Sequence, residues 1–312
     1  MSLNNSPSWT TSHLLMVPPK CFSFNTETGL DNEFQHKLNA TNSELQEKAQ
    51  LEFTNMVAGL RAFGADVYIF DEEQDNTPDA VFPNNWFSTD IDGNVYLYPM
   101  ACENRQREVK SQALTSFLET NHFSVKNVID VRSLAVDEAK LEGTGAMVFD
   151  HANDAVYAAI SQRCNRVLLE QCAQRLDVKE VIAFDTHLPS GNAVYHTNVM
   201  LSIGDDYAII CSKSVAQSHR EHVLDTLKGK NVIDITFEQL AAFCGNVLQI
   251  QNKDGKKALA MSQSAFDAFT PEQRELLSKS GELLPFDVKT IESVGGGSVR
   301  CMLAELFLPK AG

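Results

Sequence analysis

A faint internal repeat constrains the fold of this 312-residue chain more than any single motif does. Three short apolar runs each end in a serine, and these serines, Ser161, Ser212 and Ser262, lie 51 and 50 residues apart. Each run is followed by a polar, helix-like segment and then by another apolar run, and the run at 95–100 is a weaker earlier member. Self-similarity at a fixed period of this size is typical of solenoids, propellers and related arrays.

The repeat predicts units with the order strand, strand, helix, strand, each about 50–60 residues long. The chain has room for five to six such units. No linker rich in Pro, Gly or Ser divides the sequence, and the acidic stretch 71–78 is interpreted as a loop. We therefore expect residues 1–312 to form a single α/β domain.

The charge and the cysteines of the chain exclude several classes of protein. Twenty-six Lys and Arg against 41 Asp and Glu leave a formal net charge of −15, whereas nucleic acids and anionic membranes bind clustered positive charge. Seven scattered cysteines without a C-x-x-C pair are typical of reduced thiols in a cytoplasm, not of a disulfide framework or zinc site. The residues before Lys20 lack the pattern of a signal peptide, and no apolar stretch has a membrane-spanning length.

Two segments in the first half of the chain carry unusual polar residues. The segment 79–87 (DAVFPNNWF) places Asp79 and the adjacent Asn84 and Asn85 beside apolar residues, although Asn-Asn at a strand end usually marks a turn. The segment 141–145 (LEGTG) places a glutamate, Glu142, beside a Gly-rich turn. A solvated loop residue and a carboxylate directed into a cleft are both open interpretations of Glu142.

Two further segments in the second half of the chain carry an imidazole and a thiol. His196 starts a strand-like run at 195–202, where a lone histidine is more often structural than catalytic. Three glycines at 295–297 precede Cys301, and glycines allow close approach of the backbone. A neighbouring Arg300 or exposed backbone N–H groups would favour the thiolate, so we expect a functional thiol here in preference to a buried cysteine after a flexible loop.

The spacing of these residues links them to the repeat. Asn85 and Glu142 are 57 residues apart, Glu142 and His196 are 54 apart, and Cys301 follows His196 after 105 residues, about two repeat lengths. If the repeats surround an axis, equivalent positions in successive units point to its centre. A thiol, an imidazole and a carboxylate brought together there would suit covalent catalysis at a carbon–nitrogen bond.

In these motifs the chain resembles the guanidino-group-modifying enzymes, the pentein or amidinotransferase superfamily, and especially its arginine deiminase-related group with the citrulline ureidases. The resemblance extends from 16–20 (MVPPK) to Glu305, and the combination of a Gly-rich cysteine segment, an upstream L-E-G and an intervening histidine is specific. It implies a five-bladed α/β propeller of ββαβ repeats with pseudo-fivefold symmetry. It also implies an enzyme without metal or cofactor.

The resemblance assigns catalytic roles by position. Cys301 would be the nucleophile and His196 the general acid and base, while Glu142 would contact the substrate nitrogens and help to organise the histidine. For citrulline, the products would be ornithine, ammonia and carbon dioxide, formed through a covalent adduct on the cysteine.

The resemblance also assigns substrate contacts. Asp79 and Asn85 match substrate-contacting positions of the dimethylarginine hydrolases, and the pair that follows Asp79 is Asn84-Asn85 in this chain. Arg105 or Arg107, after the run at 95–100, lies near the family's arginine for the substrate α-carboxylate.

Departures from the family pattern indicate the kind of substrate. Arginine deiminases have a carboxylate at the position of Asn85 and another two residues after the catalytic histidine, where this chain has Asn198. Paired carboxylates suit a guanidinium cation, whereas an amide complements the N–H donors and the carbonyl of a neutral ureido group. Succinylarginine dihydrolase also has Asn at the first position and accepts a guanidino compound, so Asn198 is the more informative residue.

We therefore expect a cytoplasmic hydrolase of a small ureido or guanidino amino acid in arginine metabolism, most simply citrulline. An arginine deiminase or dihydrolase and an amidinotransferase are alternatives with the same thiol chemistry. A non-catalytic pentein that serves as a binding protein is an alternative from a different class. The sequence leaves the oligomeric state open, including a homo-oligomer.

Overall fold

A computed structural model describes residues 9–311 of the chain. The expectation of one domain over 1–312 includes residues 1–8 and 312, which lie outside the described residues. The β-strands are β1 (His13–Met16), β2 (Asp66–Ile69), β3 (Phe87–Thr89), β4 (Asn94–Leu97), β5 (Asn127–Asp130), β6 (Val148–Asp150), β7 (Ala155–Ala159), β8 (Glu180–Phe184), β9 (Leu201–Ile203), β10 (Tyr207–Ile210), β11 (Asn231–Asp234), β12 (Leu248–Gln251), β13 (Lys257–Ser262), β14 (Glu282–Phe286) and β15 (Ala304–Glu305). The α-helices are α1 (Asn42–Phe63), α2 (Glu103–Gln106), α3 (Ser111–Thr120), α4 (Gly143–Ala146), α5 (Arg166–Arg175), α6 (Thr197–Met200), α7 (Gln217–Thr226), α8 (Phe237–Ala241), α9 (Gln263–Ala268), α10 (Pro271–Ser278) and α11 (Lys289–Gly295).

The strands form five three-stranded sheets with one recurring order. In every sheet the middle strand pairs antiparallel with one neighbour and parallel with the other. A parallel pair requires a crossover connection, and helices occupy that connection in each case. Four sheets are continuous in sequence, whereas the fifth, β15-β1-β2, joins the last strand to the first.

The apolar runs of the sequence repeat form the middle strands β4, β7, β10 and β13. All residues of β7 and β10 are buried. Their sequences are therefore continuous apolar runs, without the alternation of apolar and polar residues that a half-exposed strand shows. The third strands are more exposed. β5 and β11 even share the sequence Asn-Val-Ile-Asp, and the valine of each is exposed.

The first strands of different sheets contact one another, since β15 packs on β3, and β9 packs on both β6 and β12. A short turn or helical turn precedes each of these first strands. The packing of the first strands therefore brings the five preceding turns into one region, and the candidate site lies there. No helix within residues 9–311 combines the length and the apolar character needed to cross a membrane.

Candidate active site

The five turns before the first strands carry most of the sequence-predicted site residues. Asn84 and Asn85 precede β3, Glu142 precedes α4 and β6, and His196 is the residue before α6 and β9. Cys301 lies in a 3-10 turn directly before β15. The sequence spacing thus reflects equivalent positions in successive sheets, as the repeat predicts.

A small cavity lies among these turns. Cys301 and His196 both line it, together with Asp79, Asn85 and Arg105. All five side chains are at least nine-tenths buried, so the groups that reach the cavity are held away from bulk water. Within residues 9–311, no group of three or more His, Cys, Asp or Glu is placed to hold a metal ion.

Glu142 organises the imidazole of His196. Its Oε2 lies 2.7 Å from His196 Nε2, and its Oε1 accepts a hydrogen bond from the backbone N–H of Ala101 at 2.8 Å. The neutral ring therefore carries its proton on Nε2 and keeps Nδ1 as an acceptor. Glu142 does not line the cavity, so its geometry fits a residue that orients the histidine.

Two buried arginines surround the same carboxylate. Arg163 Nη1 lies 3.6 Å and Arg105 Nη1 lies 3.9 Å from Glu142 Oε2. Burial alone would raise the pKa of Glu142, but Arg163, His196 and Arg105 together hold that pKa well below its usual range. Burial lowers the pKa of His196 by more than the Glu142 contact raises it, so a carboxylate faces a neutral imidazole at neutral pH.

Each arginine also has a second acidic partner. Arg105 Nε and Nη2 donate to Glu108 at 3.1 and 2.9 Å, and both side chains are fully buried. Arg163 Nε donates to Asp31 at 2.9 Å, and its guanidinium lies 4.9 Å from the centre of the Tyr195 ring. The arginines therefore form a connected network of charges on one side of the cavity.

Asp79 presents an unpaired oxygen in this region. Its Oδ2 accepts hydrogen bonds from Asn25 Nδ2 at 2.6 Å and Thr28 Oγ1 at 3.0 Å. Its Oδ1 is buried and has no hydrogen-bond partner among the described residues. Burial raises the pKa of Asp79 by more than Arg105 lowers it. A buried acceptor without a partner is costly, and an N–H group of a ligand would satisfy it.

Asn85 lines the cavity, and its amide orientation is fixed by its neighbours. Its Oδ1 accepts from Arg105 Nη1 at 2.7 Å, so its Nδ2 is the donor that remains, and one of its two protons goes to Asn84 Oδ1 at 3.0 Å. Asn84 itself lies behind Asn85 and does not line the cavity. Asn85 is therefore a donor to any group that enters, and Asn84 supports it.

Two asparagines contact the thiol of Cys301. Asn198 Nδ2 lies 3.5 Å and its Oδ1 lies 3.8 Å from Sγ. Asn246 Nδ2 lies closer, at 3.3 Å. These contacts place Asn198 beside the candidate nucleophile, and no carboxylate hydrogen-bonds to the sulfur within residues 9–311.

The two glycines of the Leu-Glu-Gly-Thr-Gly motif are explained by close packing. Gly143 has a φ of +44°, and a Cβ there would lie 2.5 Å from the carbonyl oxygen of Asn84. A Cβ on Gly145 would lie 2.4 Å from Asn85 Nδ2 and 2.8 Å from His196 Nδ1. The motif thus lets the backbone that carries Glu142 pass between the polar groups of the site.

Arg107 does not join the site. Its side chain is about half exposed (47%) and pairs with the exposed Glu103 at 3.1 Å, one turn earlier on the same helical segment. The prediction of Arg105 or Arg107 as a substrate residue is therefore corrected to exclude Arg107. Arg105 does line the cavity, but Glu108 and Asn85 already occupy most of its N–H groups.

A sequence model described as N,N dimethylarginine dimethylhydrolase, eukaryotic, matches residues 18–308 of this chain. The match covers nearly the whole sequence. The chain belongs to the dimethylarginine dimethylhydrolase family. The family lies within the pentein superfamily of guanidino-modifying enzymes, which the sequence motifs resemble. Among curated protein sequences, none matches this chain significantly.

Solved structures with the fold of this family member include an arginine dihydrolase from cyanobacteria, ArgZ, at a TM-score of 0.72 and 15% identity. The match covers 96% of this chain and 41% of the ArgZ chain. The N-terminal domain of an ArgZ variant, covalently bound to a reaction intermediate, matches over 95% of this chain and 99% of its own length, at 16% identity and a TM-score of 0.72. A mutant of the dimethylarginine hydrolase DDAH from Pseudomonas aeruginosa, in complex with citrulline, gives a TM-score of 0.65 at 14% identity and covers 96% and 100% of the two chains. At these identities the likeness establishes the fold.

Sequence reasoning missed three residues of the site in this family member: Arg163, Tyr195 and Asn246. Arg163 follows the middle strand β7 much as Arg105 follows β4, so the repeat carried a signal for it. Asn246 lies 50 residues after His196 and 55 before Cys301, in the one repeat unit to which no site residue was assigned. Tyr195 lacks such a signal, since it is simply the buried neighbour of His196.

Proposed function

We propose that this protein is a cysteine-dependent hydrolase of a ureido amino acid, with citrulline as its substrate. The observation that carries the proposal is one buried cavity lined by Cys301, His196, Asp79 and Asn85. Asp79 has a carboxylate oxygen without a partner among the described residues, and the amide nitrogen of Asn85 is available as a donor. A thiol, an imidazole oriented by a carboxylate, and polar groups that fix a planar substrate are the parts that covalent hydrolysis needs.

The amides support a ureido group over a guanidinium group. Asn85 offers an N–H donor because its oxygen is bound by Arg105, and Asn198 and Asn246 direct amide donors toward Cys301. A ureido oxygen accepts such bonds, whereas a guanidinium has only donors. Asp79 Oδ1 would accept from the ureido NH₂ group.

The charges of the site support the same choice. Arg105 and Arg163 already place two guanidinium groups at the cavity, and burying a third cation beside them is costly. Both arginines attract the α-carboxylate of an amino acid. Arg163 is the better candidate ligand for it. Its Nε and Nη2 donate to Asp31 and Thr28, but its Nη1 makes only the 3.6 Å contact with Glu142 among the described residues, whereas Nε, Nη1 and Nη2 of Arg105 all donate hydrogen bonds.

In the first half of the proposed reaction, the sulfur of Cys301 attacks the ureido carbon and its proton passes to His196 Nδ1. The imidazolium, stabilised by Glu142, gives this proton to the departing side-chain nitrogen, and the carbon–nitrogen bond breaks. Ornithine leaves, and a carbamoyl group remains on the sulfur. Amide donors near the sulfur would stabilise charge on the substrate oxygen.

In the second half, His196 is neutral again and takes a proton from water as the water oxygen attacks the carbamoyl carbon. The carbon–sulfur bond breaks, the proton returns to the sulfur, and carbamic acid leaves. It decays to ammonia and carbon dioxide. The N-terminal domain of an ArgZ variant has been solved covalently bound to a reaction intermediate, which supports a covalent path for this fold.

We further infer that the five sheets are the blades of an α/β propeller with pseudo-fivefold symmetry, formed by the single domain 1–312. Five sheets of the same internal order and the mutual packing of their first strands support this arrangement. The seven cysteines are free thiols, which supports a cytoplasmic location.

An experiment on products tests the proposed activity. The purified protein is incubated separately with citrulline and with arginine, and ornithine, citrulline and ammonia are quantified, with Cys301→Ser as the matched inactive control. We expect ornithine and ammonia from citrulline alone, and no turnover by the variant. Citrulline or ornithine from arginine would overturn the ureido assignment and favour a deiminase or dihydrolase, which the ArgZ likeness also suggests.

Two other outcomes would point to the remaining alternatives. If ornithine appears only when a second amine is added, the enzyme transfers the group instead of hydrolysing it. If no substrate reacts and Cys301→Ser leaves the cellular role unchanged, the protein is a binding protein of this fold.

A further inference from the structure

The turn before β12 is the one equivalent turn in which the sequence analysis assigned no site residue. The other four turns supply Asn85, Glu142, His196 and Cys301. In the fifth, the corresponding residue is Asn246, which is completely buried. Its polar side chain lies beside the thiol of Cys301.

The side chain of Asn246 makes three hydrogen-bond contacts among the described residues, and all of them involve the turns of the site. Its Nδ2 lies 3.3 Å from Cys301 Sγ and donates to the backbone oxygen of Asn198 at 2.8 Å. Its Oδ1 accepts from the backbone N–H of Arg300 at 3.0 Å. One amide therefore joins the turn of the histidine to the turn of the thiol.

These partners allow only one orientation of the Asn246 amide. If the amide were flipped, its NH₂ group would face the N–H of Arg300, and its oxygen would face the carbonyl of Asn198. Both contacts would be repulsive and buried. Asn246 must therefore direct a donor at the sulfur, whereas Asn198 has both its amide atoms at similar distances from Sγ.

The backbone around Asn246 is tightly fixed. A Cβ on the preceding Gly245 would lie 2.3 Å from the carbonyl oxygen of Val199, in the helical turn that follows His196. Phe243 has a φ of +61°, which closes the turn, and Asn246 N donates to its oxygen at 2.9 Å. The donor at the sulfur is thus preorganised and does not need to move when the charge develops.

We infer that Asn246 stabilises the thiolate of Cys301 as a fixed, uncharged hydrogen-bond donor. A neutral N–H bonds weakly to a thiol and much more strongly to a thiolate, because bonds to ionised groups are the strong ones. Unlike a nearby cation, an amide does this without adding charge to a cavity that already holds two guanidinium groups. The inference rests on the proposed role of Cys301 as the nucleophile.

The test replaces the donor with an acceptor of the same shape. Asn246→Asp keeps an oxygen for Arg300 N–H but places a carboxylate beside the sulfur. The rate of Cys301 alkylation by iodoacetamide is followed against pH by peptide mass spectrometry, which needs no substrate. Asn127→Asp, in the exposed strand β5, is the control with the same change of net charge.

We expect the pH midpoint of Cys301 alkylation to move upward by about one unit or more in Asn246→Asp and to stay unchanged in Asn127→Asp. In turnover assays the same variant should lose kcat with a smaller change of KM, since Asn246 contacts the thiol. A folded Asn246→Asp protein with an unshifted midpoint would overturn the inference, because a carboxylate in place of the donor beside the sulfur must disfavour the thiolate.

A second measurement covers the case in which Asn246→Asp does not fold. In the native protein, the side-chain NH₂ resonances of Asn246 should shift as Cys301 titrates, and this shift should be absent in Cys301→Ser; resonances that do not respond overturn the inference. The two proposals remain separable. If the pH midpoint of Cys301 alkylation shifts in Asn246→Asp but the native protein hydrolyses neither citrulline nor arginine, only the proposed function is overturned.

Discussion

The two sides of the cavity are built from different chemistry. On one side, Glu142 is surrounded by His196, Arg105 and Arg163 within 3.9 Å, and all three of these side chains are charged or ionisable. On the other side, Cys301 meets the neutral amides of Asn198 and Asn246. Both sides are equally buried, so burial does not explain the difference.

The two sides show how one small cavity holds groups with opposite electrostatic requirements. The charged side must keep its ions paired, because an unpaired buried charge costs several kcal/mol. The paired carboxylate in turn holds the imidazole of His196 in one tautomer. The amide side must allow the sulfur to change its charge during the reaction. Neutral donors serve both the thiol and the thiolate, whereas a carboxylate would oppose the thiolate.

Removal of the central charge should have the largest effect. In Glu142→Gln the orienting carboxylate is lost, and replacement of a carboxylate that orients a catalytic imidazole lowers kcat by roughly 10³–10⁴-fold. Steady-state hydrolysis of the substrate identified by product analysis measures this effect, with circular dichroism to verify folding. If kcat falls less than tenfold in a folded variant, Glu142 does not organise His196 as described.

The buried ion pair of Arg105 should matter far more for stability than the exposed pair beside it. Glu108→Gln leaves a buried guanidinium short of a partner, and we expect a loss of about 3 kcal/mol in the free energy of unfolding. Glu103→Gln, which breaks the exposed pair with Arg107, should leave stability essentially unchanged because solvent screens that pair. Urea unfolding of the two variants measures the contrast, and equal losses would contradict it.

The charged side should also determine part of the acid sensitivity. The folded protein holds the pKa of Glu142 below its usual value of 4.5, so the native state binds this proton less readily than the unfolded state does. Its contribution to stability is therefore complete above about pH 4.5 and is lost as the pH falls below that value, by about 2 kcal/mol. Unfolding measured from pH 6 to pH 3 should show a flatter decline for Glu142→Gln than for the native protein. Parallel curves would argue against a strongly paired Glu142.

Transfer of a charge to the amide side should have the smallest effect, and it should change specificity. Asn198→Asp introduces a carboxylate beside Cys301, which suits a guanidinium and opposes the thiolate. We expect kcat/KM for citrulline to fall, and the ratio of arginine to citrulline turnover to rise about tenfold. Competition assays with both substrates measure the ratio, with Asn127→Asp as the charge-matched control. A ratio that stays constant would mean that Asn198 does not select the substrate.

The repeat and the motifs predicted a large part of this arrangement from the sequence. Middle strands that are buried on both faces leave continuous apolar runs, and their spacing located Asn85, Glu142, His196 and Cys301 in equivalent turns. The same spacing contained Asn246, but an asparagine before a strand is so common in turns that its chemistry gives no signal by itself. Arg105 and Arg107 were indistinguishable in sequence, because both are arginines on one short polar segment.

The sequence by itself determined the order of the elements, the type of the reactive groups and their period along the chain, since these follow from hydrophobic patterning and side-chain chemistry. Only the tertiary structure decided which arginine is buried, which amide faces the sulfur, and which oxygen of Asp79 is left without a partner. The physical reason is that ionisation and hydrogen bonding in a buried site depend on partners far apart in sequence. Glu142 and Arg163, or Asn246 and Cys301, acquire their properties from each other once the first strands of different sheets have packed together.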